Sequence, residues 1–412
     1  MQRHSTAAVF VSGIPNPSNR RQTRSNDPEV SLDVPGIILH WNYVAESHEV
    51  TTDDGYILTM HRIPYGQSEP APDPTKKRPV VFFQHGLECS SSNWVTNLPW
   101  QSAAFIFADA GFDVWMGNMR GNTYAKKHVS LHPDDDKFWA FSYDEMAKFD
   151  LPKMIDKVLN VTGQPYLYYV GHSQGTMIVF AHSSEDQTFA RKIRQFFALA
   201  PVGTIGHIGG FLEYIAPLTD LVEYLLQFIG GYGEFLPSNW LMHELATTMC
   251  NIWVTQELCD DVLFLIAGAD SKQLNKSRTD VYVAHTPAGT SAQNIVHFGQ
   301  NVNSDKFQKY DWGKPQTNEE HYGPGVTVPP LYDVTKSNVP TYAFTGDLDI
   351  LADPRDVAAL LAKLPDVKKV VQLKGFNHLD FIWGLNAAAE VYQPIIEIIR
   401  QDLSEQEQLR KN

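Results

Sequence analysis

Short apolar runs that end near glycine recur along the chain and predict buried β-strands. Three come early, at Pro79–Phe83, Phe112–Met116 and Tyr166–Val170, and two come late, in VPTYAFTG and VKKVVQLKG. Each late run is followed by a helix-like pattern. Strands that are apolar on both faces are typical of a parallel sheet covered by helices. The alternation of strand and helix therefore predicts a doubly wound α/β domain.

Two local patterns refine this picture. The stretch HEVTTDDGYILTMHRIPYG alternates around an Asp-Asp-Gly turn and predicts a hairpin. In SYDEMAKFDLP, Ser142 and Glu145 have the spacing of a capping box, which predicts that a helix begins there.

The middle of the chain follows a different pattern. From about Thr204 to Tyr332, apolar residues recur at helical spacing with Gly and Pro interruptions. Most such stripes serve core packing. An inserted set of helices commonly covers the carboxyl edge of a sheet, where active sites form. We therefore divide the domain into a first core part at 36–203, a helical cap or lid insertion at 204–332 and a second core part at 333–412.

Composition and net charge limit the classes of partner that the chain can bind. The chain has 412 residues, 43% of them hydrophobic, which is enough for one α/β domain with a sizeable insertion. Its formal charge is −14, so no basic stripe is available for nucleic acid. The sequence holds no run of about 18 apolar residues, and we expect no transmembrane helix.

The first 35 residues are rich in Pro, Asn, Ser and Arg. We interpret residues 1–35 as a disordered segment. The alternative is an atypical targeting segment, because a basic start precedes a short apolar patch at Ala7–Ile14.

Three cysteines are present. Cys250 and Cys259 are nine positions apart, roughly 13 Å along a continuous helix, so spacing alone favours two unpaired thiols. Cys89 is the third. The triplets that begin at Asn160 and Asn275 are glycosylation sequons, which matter only on a secretory route.

The strongest chemical signal is Gly-His-Ser-Gln-Gly, centred on Ser173 between a buried strand and a helix. This is the context of a nucleophile elbow. The turn forces the serine into a strained conformation, and glycines allow the strand and the helix to approach closely. We therefore predict that Ser173 is a nucleophile.

A serine nucleophile needs a base and an acid, which follow it in the order acid then histidine in this fold. His378 fits the base, because it lies in a Gly-containing loop after the last predicted strand. Asp353 is better explained as a helix N-cap before Pro354. Asp347 and Asp349, at the end of the preceding strand, both remain candidates for the acid.

The tetrahedral intermediate needs two N–H donors, which form an oxyanion hole. One should be the backbone of Gln174, the residue after the nucleophile. The other should come from the loop after the first predicted strand, where Leu87 is the candidate. His85 and His172 are interpreted as structural residues. No metal motif and no phosphate-binding loop is present, so we infer neither a metal nor another cofactor.

An ordered set of motifs closely resembles the gastric and lysosomal acid lipase family over about residues 40 to 400. The set comprises HEVTTDDGYILTMHRIPYG, FFQHGL, FDVWMGNMRGNTYAKKH, FWAFSYDEMAKFDLP, GHSQGT, NKSRTDVYVAHTPAGTSAQN, DILADPRDV and NHLDFIW. The resemblance implies an α/β-hydrolase core with a helical cap, acting on triacylglycerols or cholesteryl esters at a lipid–water interface and acidic pH.

By position, the resemblance implies several roles that spacing leaves open. Asp349 rather than Asp347 matches the acid, and Cys250 and Cys259 match a cap disulfide. Asn275 falls where the family carries a glycan. The resemblance also implies a lysosomal or secreted location. A soluble carboxylesterase and a lipid-binding protein on a hydrolase scaffold are the alternatives.

Overall fold

The computed structural model describes residues 27–68, 77–210, 213, 216–218, 233–235 and 272–411. Within them a single large sheet crosses the molecule. The strands, in chain order, are β1 Glu46–Thr51, β2 Tyr56–Ile63, β3 Val80–Gln84, β4 Asp113–Met116, β5 Lys127–His128, β6 Leu167–His172, β7 Ile193–Leu199, β8 Glu234–Phe235, β9 Thr290–Ser291, β10 Thr341–Gly346 and β11 Val367–Leu373.

The large sheet has the order β1-β2-β4-β3-β6-β7-β10-β11, with β5 paired to β2. The six strands from β4 to β11 in this order are parallel, whereas β1, β2 and β5 join by antiparallel pairing. The predicted α/β-hydrolase core with a mostly parallel sheet is confirmed. Its central strands β3, β4 and β6 are buried at every position, as their apolar runs indicated.

The five predicted strands and the hairpin all form, with ends shifted by one or two residues. The sequence analysis assigned no strand to Ile193–Leu199, which lies between β6 and β10 as β7. Two polar residues, the exposed Arg194 and then Gln195, follow Ile193, so this segment lacks the uniform apolar run of its neighbours.

Helices cover the sheet, and the predicted capping box is present. The backbone N–H of Ser142 donates to Glu145 Oε2 at 2.7 Å, and the Ser142 hydroxyl accepts from Asp144 N at 3.2 Å. No helix among the described residues combines the length and apolar character needed to cross a bilayer. The described helices are α1 Val34–His40, α2 Ala103–Asp109, α3 Tyr143–Glu145, α4 Leu151–Thr162, α5 Gln174–Glu185, α6 Thr279–His285, α7 Ala292–Ser304, α8 Pro315–Tyr322, α9 Pro354–Leu361, α10 Asp380–Trp383 and α11 Gln393–Lys411.

The insertion is described only in part. Its described residues include the helices α6, α7 and α8, together with the antiparallel pair β8–β9. The sequence predicted helices alone in this region. Strands of two residues are too short to produce an alternating pattern, so β8 and β9 leave no signal in the sequence.

The end of the predicted disordered segment is ordered instead. Pro28–Val30 forms a turn of 3₁₀-helix, and α1 begins at Val34. Glu29 is buried because its carboxylate, like that of Asp27, accepts a charge-assisted hydrogen bond from the buried Arg278. Arg278 lies about 250 positions further along the chain, so the composition of residues 1–35 does not indicate this contact. Residues 1–26 lie outside the described part.

Beneath the hairpin turn, Arg120 forms a buried ion-pair cluster. Its guanidinium contacts Asp150 Oδ1 and Asp54 Oδ2, each at 2.7 Å. Its backbone N–H also donates to Asp150. These bonds fix the loop that follows β4, and Met119 in that loop donates a hydrogen bond to His85, next to β3.

The Arg120 cluster generates a stability prediction. Arg120→Met leaves the buried carboxylate of Asp150 without its cation, so we expect the free energy of unfolding to fall by about 3–5 kcal/mol. The matched control is Lys153→Met, which breaks the exposed Lys153–Asp53 pair at the same hairpin turn. That change should cost less than about 1 kcal/mol. Urea unfolding followed by tryptophan fluorescence measures both; equal losses would contradict the assignment.

Candidate active site

Ser173 stands at a sharp turn between a strand and a helix. Strand β6 ends at His172, and α5 begins at Gln174. The backbone of Ser173 has φ 55° and ψ −122°, a conformation that residues other than glycine rarely adopt. Such strain costs on the order of 1–3 kcal/mol and is typical of functional positions. The turn holds the serine at the carboxyl edge of the sheet, partly exposed.

Three glycines make this turn possible by close approach. A Cβ on Gly175 would lie 2.5 Å from the carbonyl oxygen of Gln84, and one on Gly171 would lie 2.7 Å from the carbonyl oxygen of Gly175. A Cβ on Gly86 would lie 2.9 Å from the Cβ of Ser173. The predicted reason for the elbow glycines is therefore confirmed. The glycine in the β3 loop was not anticipated in this role.

His378 and Asp349 form a hydrogen-bonded pair at the same edge. Asp349 follows β10 and His378 follows β11. His378 Nδ1 lies 2.9 Å from Asp349 Oδ2 and 3.0 Å from Asp349 Oδ1. Both side chains are almost fully buried. This contact holds the ring with Nδ1 toward the acid, and leaves Nε2 without a partner among the described residues.

The two candidate acids have different surroundings. Asp347 is exposed and accepts a hydrogen bond from the backbone of Gly375 at 2.5 Å. Asp349 is buried, and its Oδ1 also accepts from Leu351 N at 2.9 Å and Ala352 N at 2.8 Å. Asp353 caps α9, as the sequence predicted.

The protonation of Asp349 follows from these contacts. Burial alone raises the pKa of Asp349. The charge and hydrogen bond of His378, together with the N–H groups of Ala352 and Leu351, outweigh burial and hold that pKa below its ordinary value. Asp349 therefore stays ionised into the acid range.

The two candidate oxyanion donors belong to segments that adjoin Ser173: Gln174 follows it in the chain, and Leu87 follows Gly86, which packs against it. Gln174 N is at the start of α5, where helical N–H groups have no intrahelical acceptor. Neither Gln174 N nor Leu87 N donates to an acceptor in the described part of the chain. The Gln174 side chain points elsewhere, since it accepts from Asn294 at 2.9 Å and donates to Met146 Sδ at 3.3 Å.

His85 supports the loop that carries Leu87. Its Nε2 accepts from Met119 N at 3.1 Å, and its Nδ1 donates to the carbonyl of Gly86 at 2.8 Å. Burial lowers the pKa of His85 to about 4. A neutral ring with a fixed tautomer suits a structural residue.

His172 does more than fill space, which the sequence analysis missed. Its Nε2 donates to the carbonyl of His378 at 2.8 Å, and the two rings lie 4.7 Å apart. Burial, reinforced by the nearby His378, lowers the pKa of His172 to about 3, so the ring stays neutral. The strand residue before the nucleophile thus anchors the backbone of the candidate base. Only its position beside Ser173 hinted at this role.

The sequence analysis also identified two sequons and three cysteines. Asn160 is exposed in the last turn of α4. Asn275 is half-buried, and its amide nitrogen donates to Gln101 at 3.0 Å. Cys250 and Cys259 lie outside the described residues. Cys89 is buried and free, and burial raises the pKa of its thiol to about 12.

One group within the described ranges could gather around a cation. His207, Asp305 and Asp356 bring ligand atoms within 4.8 Å of one another, but His207 Nδ1 and Asp356 Oδ1 already pair at 2.8 Å. Two of the three residues are exposed. The hydrogen bonds and ion pairs of His207 and Asp356 do not involve Ser173, His378 or Asp349, so the proposed chemistry of the site does not depend on this group.

The contact of His172 with the candidate base can be tested by His172→Phe. This variant keeps an aromatic ring but removes the hydrogen bond to the His378 carbonyl. A displaced base should slow covalent labelling of Ser173 by a fluorophosphonate about 10- to 100-fold. The control is His182→Phe, at the far end of α5, where the ring packs on Phe189. Equal labelling rates in the two variants would refute the role of His172.

Comparison with known proteins identifies relatives of this chain. The family model described as alpha/beta hydrolase fold matches residues 79–385, and the model described as Partial alpha/beta-hydrolase lipase region matches residues 34–98. The Lipase lipl-1 of Caenorhabditis elegans is 52% identical over 387 residues, which cover 92% of this chain and 93% of that protein.

Two human proteins are nearly as similar. Gastric triacylglycerol lipase is 48% identical over 375 residues, covering 91% of this chain and 92% of that protein. Lysosomal acid lipase/cholesteryl ester hydrolase is 46% identical over 375 residues, with the same coverage of each chain. Since the relatives align over more than nine tenths of its length, the chain belongs to the acid lipase family of α/β-hydrolases.

Proposed function

We propose that this lipase hydrolyses the ester bonds of neutral lipids, with Ser173 as nucleophile, His378 as base and Asp349 as the acid that orients it. The observation that supports this best is the buried His378–Asp349 pair, 2.9 Å apart, at the sheet edge where Ser173 stands in its strained turn. Nucleophile, base and acid follow one another in the chain order of this fold.

In the first half of the reaction, Ser173 Oγ attacks the ester carbonyl carbon while His378 Nε2 takes its proton. The resulting imidazolium lies against the ionised Asp349, which stabilises its charge without accepting the proton. The proton then passes from His378 to the leaving alcohol as the C–O bond breaks. The acyl group stays on Ser173.

In the second half, water replaces the alcohol. His378 takes a proton from the water, whose oxygen attacks the acyl carbon, and then returns the proton to Ser173 Oγ as the fatty acid leaves. In both halves the N–H groups of Leu87 and Gln174 receive the developing oxyanion. Donors of this kind typically contribute about 2.7–4 kcal/mol each to transition-state stabilisation.

The substrate class rests on the relatives. One human relative is named for triacylglycerol, and the other is named an acid lipase and a cholesteryl ester hydrolase. Both substrates are neutral lipid esters that gather at a lipid–water interface. We infer the same class for this enzyme, with activity at acidic pH and with residues 204–332 acting as a cap over the acyl-binding region.

We infer a lysosomal or secreted location, because the names of these relatives refer to the lysosome and to the stomach. On that route a Cys250–Cys259 disulfide and glycans on Asn160 and Asn275 become chemically possible. A glycan on Asn275 must replace a hydrogen of an amide nitrogen that contacts Gln101 and, at 3.4 Å, Asn97. Asn160, exposed on α4, has no such conflict.

The choice of acid can be tested directly. Asp349→Asn should lower kcat about 10⁴-fold. An amide carries no charge to stabilise the imidazolium, and it does not hold the neutral imidazole in the required tautomer. The matched control is Asp347→Asn, two positions away, which should retain activity since Asp347 contacts Gly375 rather than His378. Hydrolysis of a short soluble ester measures both. The opposite ranking would transfer the acid role to Asp347.

A test of the substrate class requires emulsified lipids. We expect hydrolysis of triolein and cholesteryl oleate, faster at acidic than at neutral pH. Ser173→Ala and His378→Ala, as controls, should each lose on the order of 10⁶-fold in kcat.

Three other outcomes would redirect the assignment. Hydrolysis of only the soluble ester near neutral pH would identify a carboxylesterase without interfacial preference. Turnover retained in Ser173→Ala would exclude Ser173 as the nucleophile. A well-folded enzyme that turns over none of these substrates would indicate a lipid-binding protein on a hydrolase scaffold.

A further inference from the structure

Glu88 follows the candidate oxyanion donor Leu87 directly and has an unusual backbone. Its φ is 57°, in the left-handed region that residues with a Cβ rarely occupy. The loop after β3 therefore turns sharply immediately after the donor. A contact that holds residue 88 in place also restricts the position of its chain neighbour Leu87.

Glu88 makes two contacts with the segment that leads into β9. Its backbone carbonyl accepts from Ala288 N at 2.7 Å, and its side-chain Oε2 accepts from Gly289 N at 3.2 Å. The segment is itself held, because Thr123 N donates to the Ala288 carbonyl at 2.9 Å. Main chain and side chain of Glu88 thus clamp the oxyanion loop to a fixed support.

The surroundings of this carboxyl group disfavour a negative charge. Its other oxygen, Oε1, is buried and has no hydrogen-bond partner among the described residues. Glu234 on β8 and Lys126 before β5 face it, and these two form an ion pair with each other. The Cys89 thiol is the neighbour on its own loop. A carboxylate with one oxygen buried and unpaired, beside a second carboxylate, costs more free energy than the neutral acid.

The same surroundings shift the pKa of Glu88. Burial, the largest effect, raises the pKa of Glu88 to about 8; the charge of Glu234 adds to the rise, while Gly289 N–H and Lys126 oppose it. Over the acid range the side chain therefore carries its proton.

We propose that protonated Glu88 is a positioning residue that holds the Leu87 N–H toward the substrate oxygen, and that loss of its proton weakens hydrolysis at alkaline pH. Ionisation repels the side chain from Glu234, and this repulsion opposes the hydrogen bond from Gly289 N–H, which by itself favours the carboxylate. The inference rests on the proposed role of Leu87 in the oxyanion hole.

The first test is the pH profile of kcat and KM for a short soluble ester. Glu88→Gln keeps the shape of the neutral acid and should match the native enzyme at acid pH. The alkaline limb of its kcat profile should move to higher pH by at least one unit. Glu88→Ala loses the side-chain clamp and should lower kcat about 10- to 100-fold at every pH, with little change in KM.

A second variant tests the sign of the electrostatics. Glu234→Gln removes the facing carboxylate and releases Lys126, and both changes favour ionised Glu88. The alkaline limb of the kcat profile should therefore move to lower pH. In the Glu88→Gln/Glu234→Gln double variant this shift should disappear.

Thermal stability provides a readout that needs no catalysis. A group with a raised pKa contributes stability that is fully present below its unfolded value, about 4.5, and is lost as pH rises through about 8. The melting temperature of Glu88→Gln should therefore gain on that of the native enzyme between these values. A difference in melting temperature that stays constant over this pH range would contradict the assignment of Glu88 as a neutral acid. This measurement is informative even if the enzyme has no esterase activity.

The kinetic result separates the two proposals. If the native enzyme hydrolyses esters and Glu88→Gln has an unchanged pH profile, the positioning role is wrong while the proposed function stands. Folded Glu88→Gln that is inactive at acid pH would show that the carboxylate, not the neutral acid, is required.

Discussion

The close approach of three backbone segments around Ser173 is the constraint on which the site depends. The end of β6, the start of α5 and the loop after β3 meet with no side chain between them, because Gly171, Gly175 and Gly86 occupy the contacts. Any Cβ at these positions would lie within 3 Å of another atom. The same proximity brings the serine hydroxyl and the N–H groups of Leu87 and Gln174 to one edge of the sheet.

Buried structure on all sides maintains this strained turn. Ser173 N donates to the Leu199 carbonyl at 3.1 Å, and the next step across the sheet, Ala200 N to the Phe344 carbonyl, is 2.9 Å. These bonds lock the elbow to β7 and β10, and β10 leads directly into the loop of Asp349. On the other side, the Arg120 ion pairs fix the loop whose backbone binds His85. The distances at the edge are thus set by elements that are themselves fully packed.

Patterns of nearby residues predicted much of this, because strands, caps and the elbow are local. The five apolar runs, the capping box at Ser142 and the Asp353 cap all have signals within a few positions. Spacing alone left Asp347 and Asp349 equivalent, since both end the same strand; only their different partners, Gly375 and His378, distinguish them. The family resemblance favoured Asp349, but residue roles such as this one stay predictions.

The features that the sequence analysis missed involve partners distant in the chain. His172 binds the carbonyl of His378, and the Glu88 side chain accepts from Gly289, 201 positions away. The buried carboxylate of Glu29 accepts a hydrogen bond from Arg278, which lies 249 positions away. Neither hydropathy nor a short motif records which loops a fold brings together. Strand β7 was missed because Arg194 and Gln195 interrupt the apolar run that marks its neighbours in the sheet.

The Arg278 contacts also limit how the enzyme can mature. The guanidinium is almost fully buried, and its charge is matched by Asp27 and Glu29 at the start of the described chain. The same group donates to the Thr96 carbonyl, and the Thr96 hydroxyl accepts from Trp383, so the contact extends to the helix beyond His378. A protease that trims the amino terminus must therefore stop before Asp27, or it removes the counter-charges of an arginine sealed inside the catalytic domain.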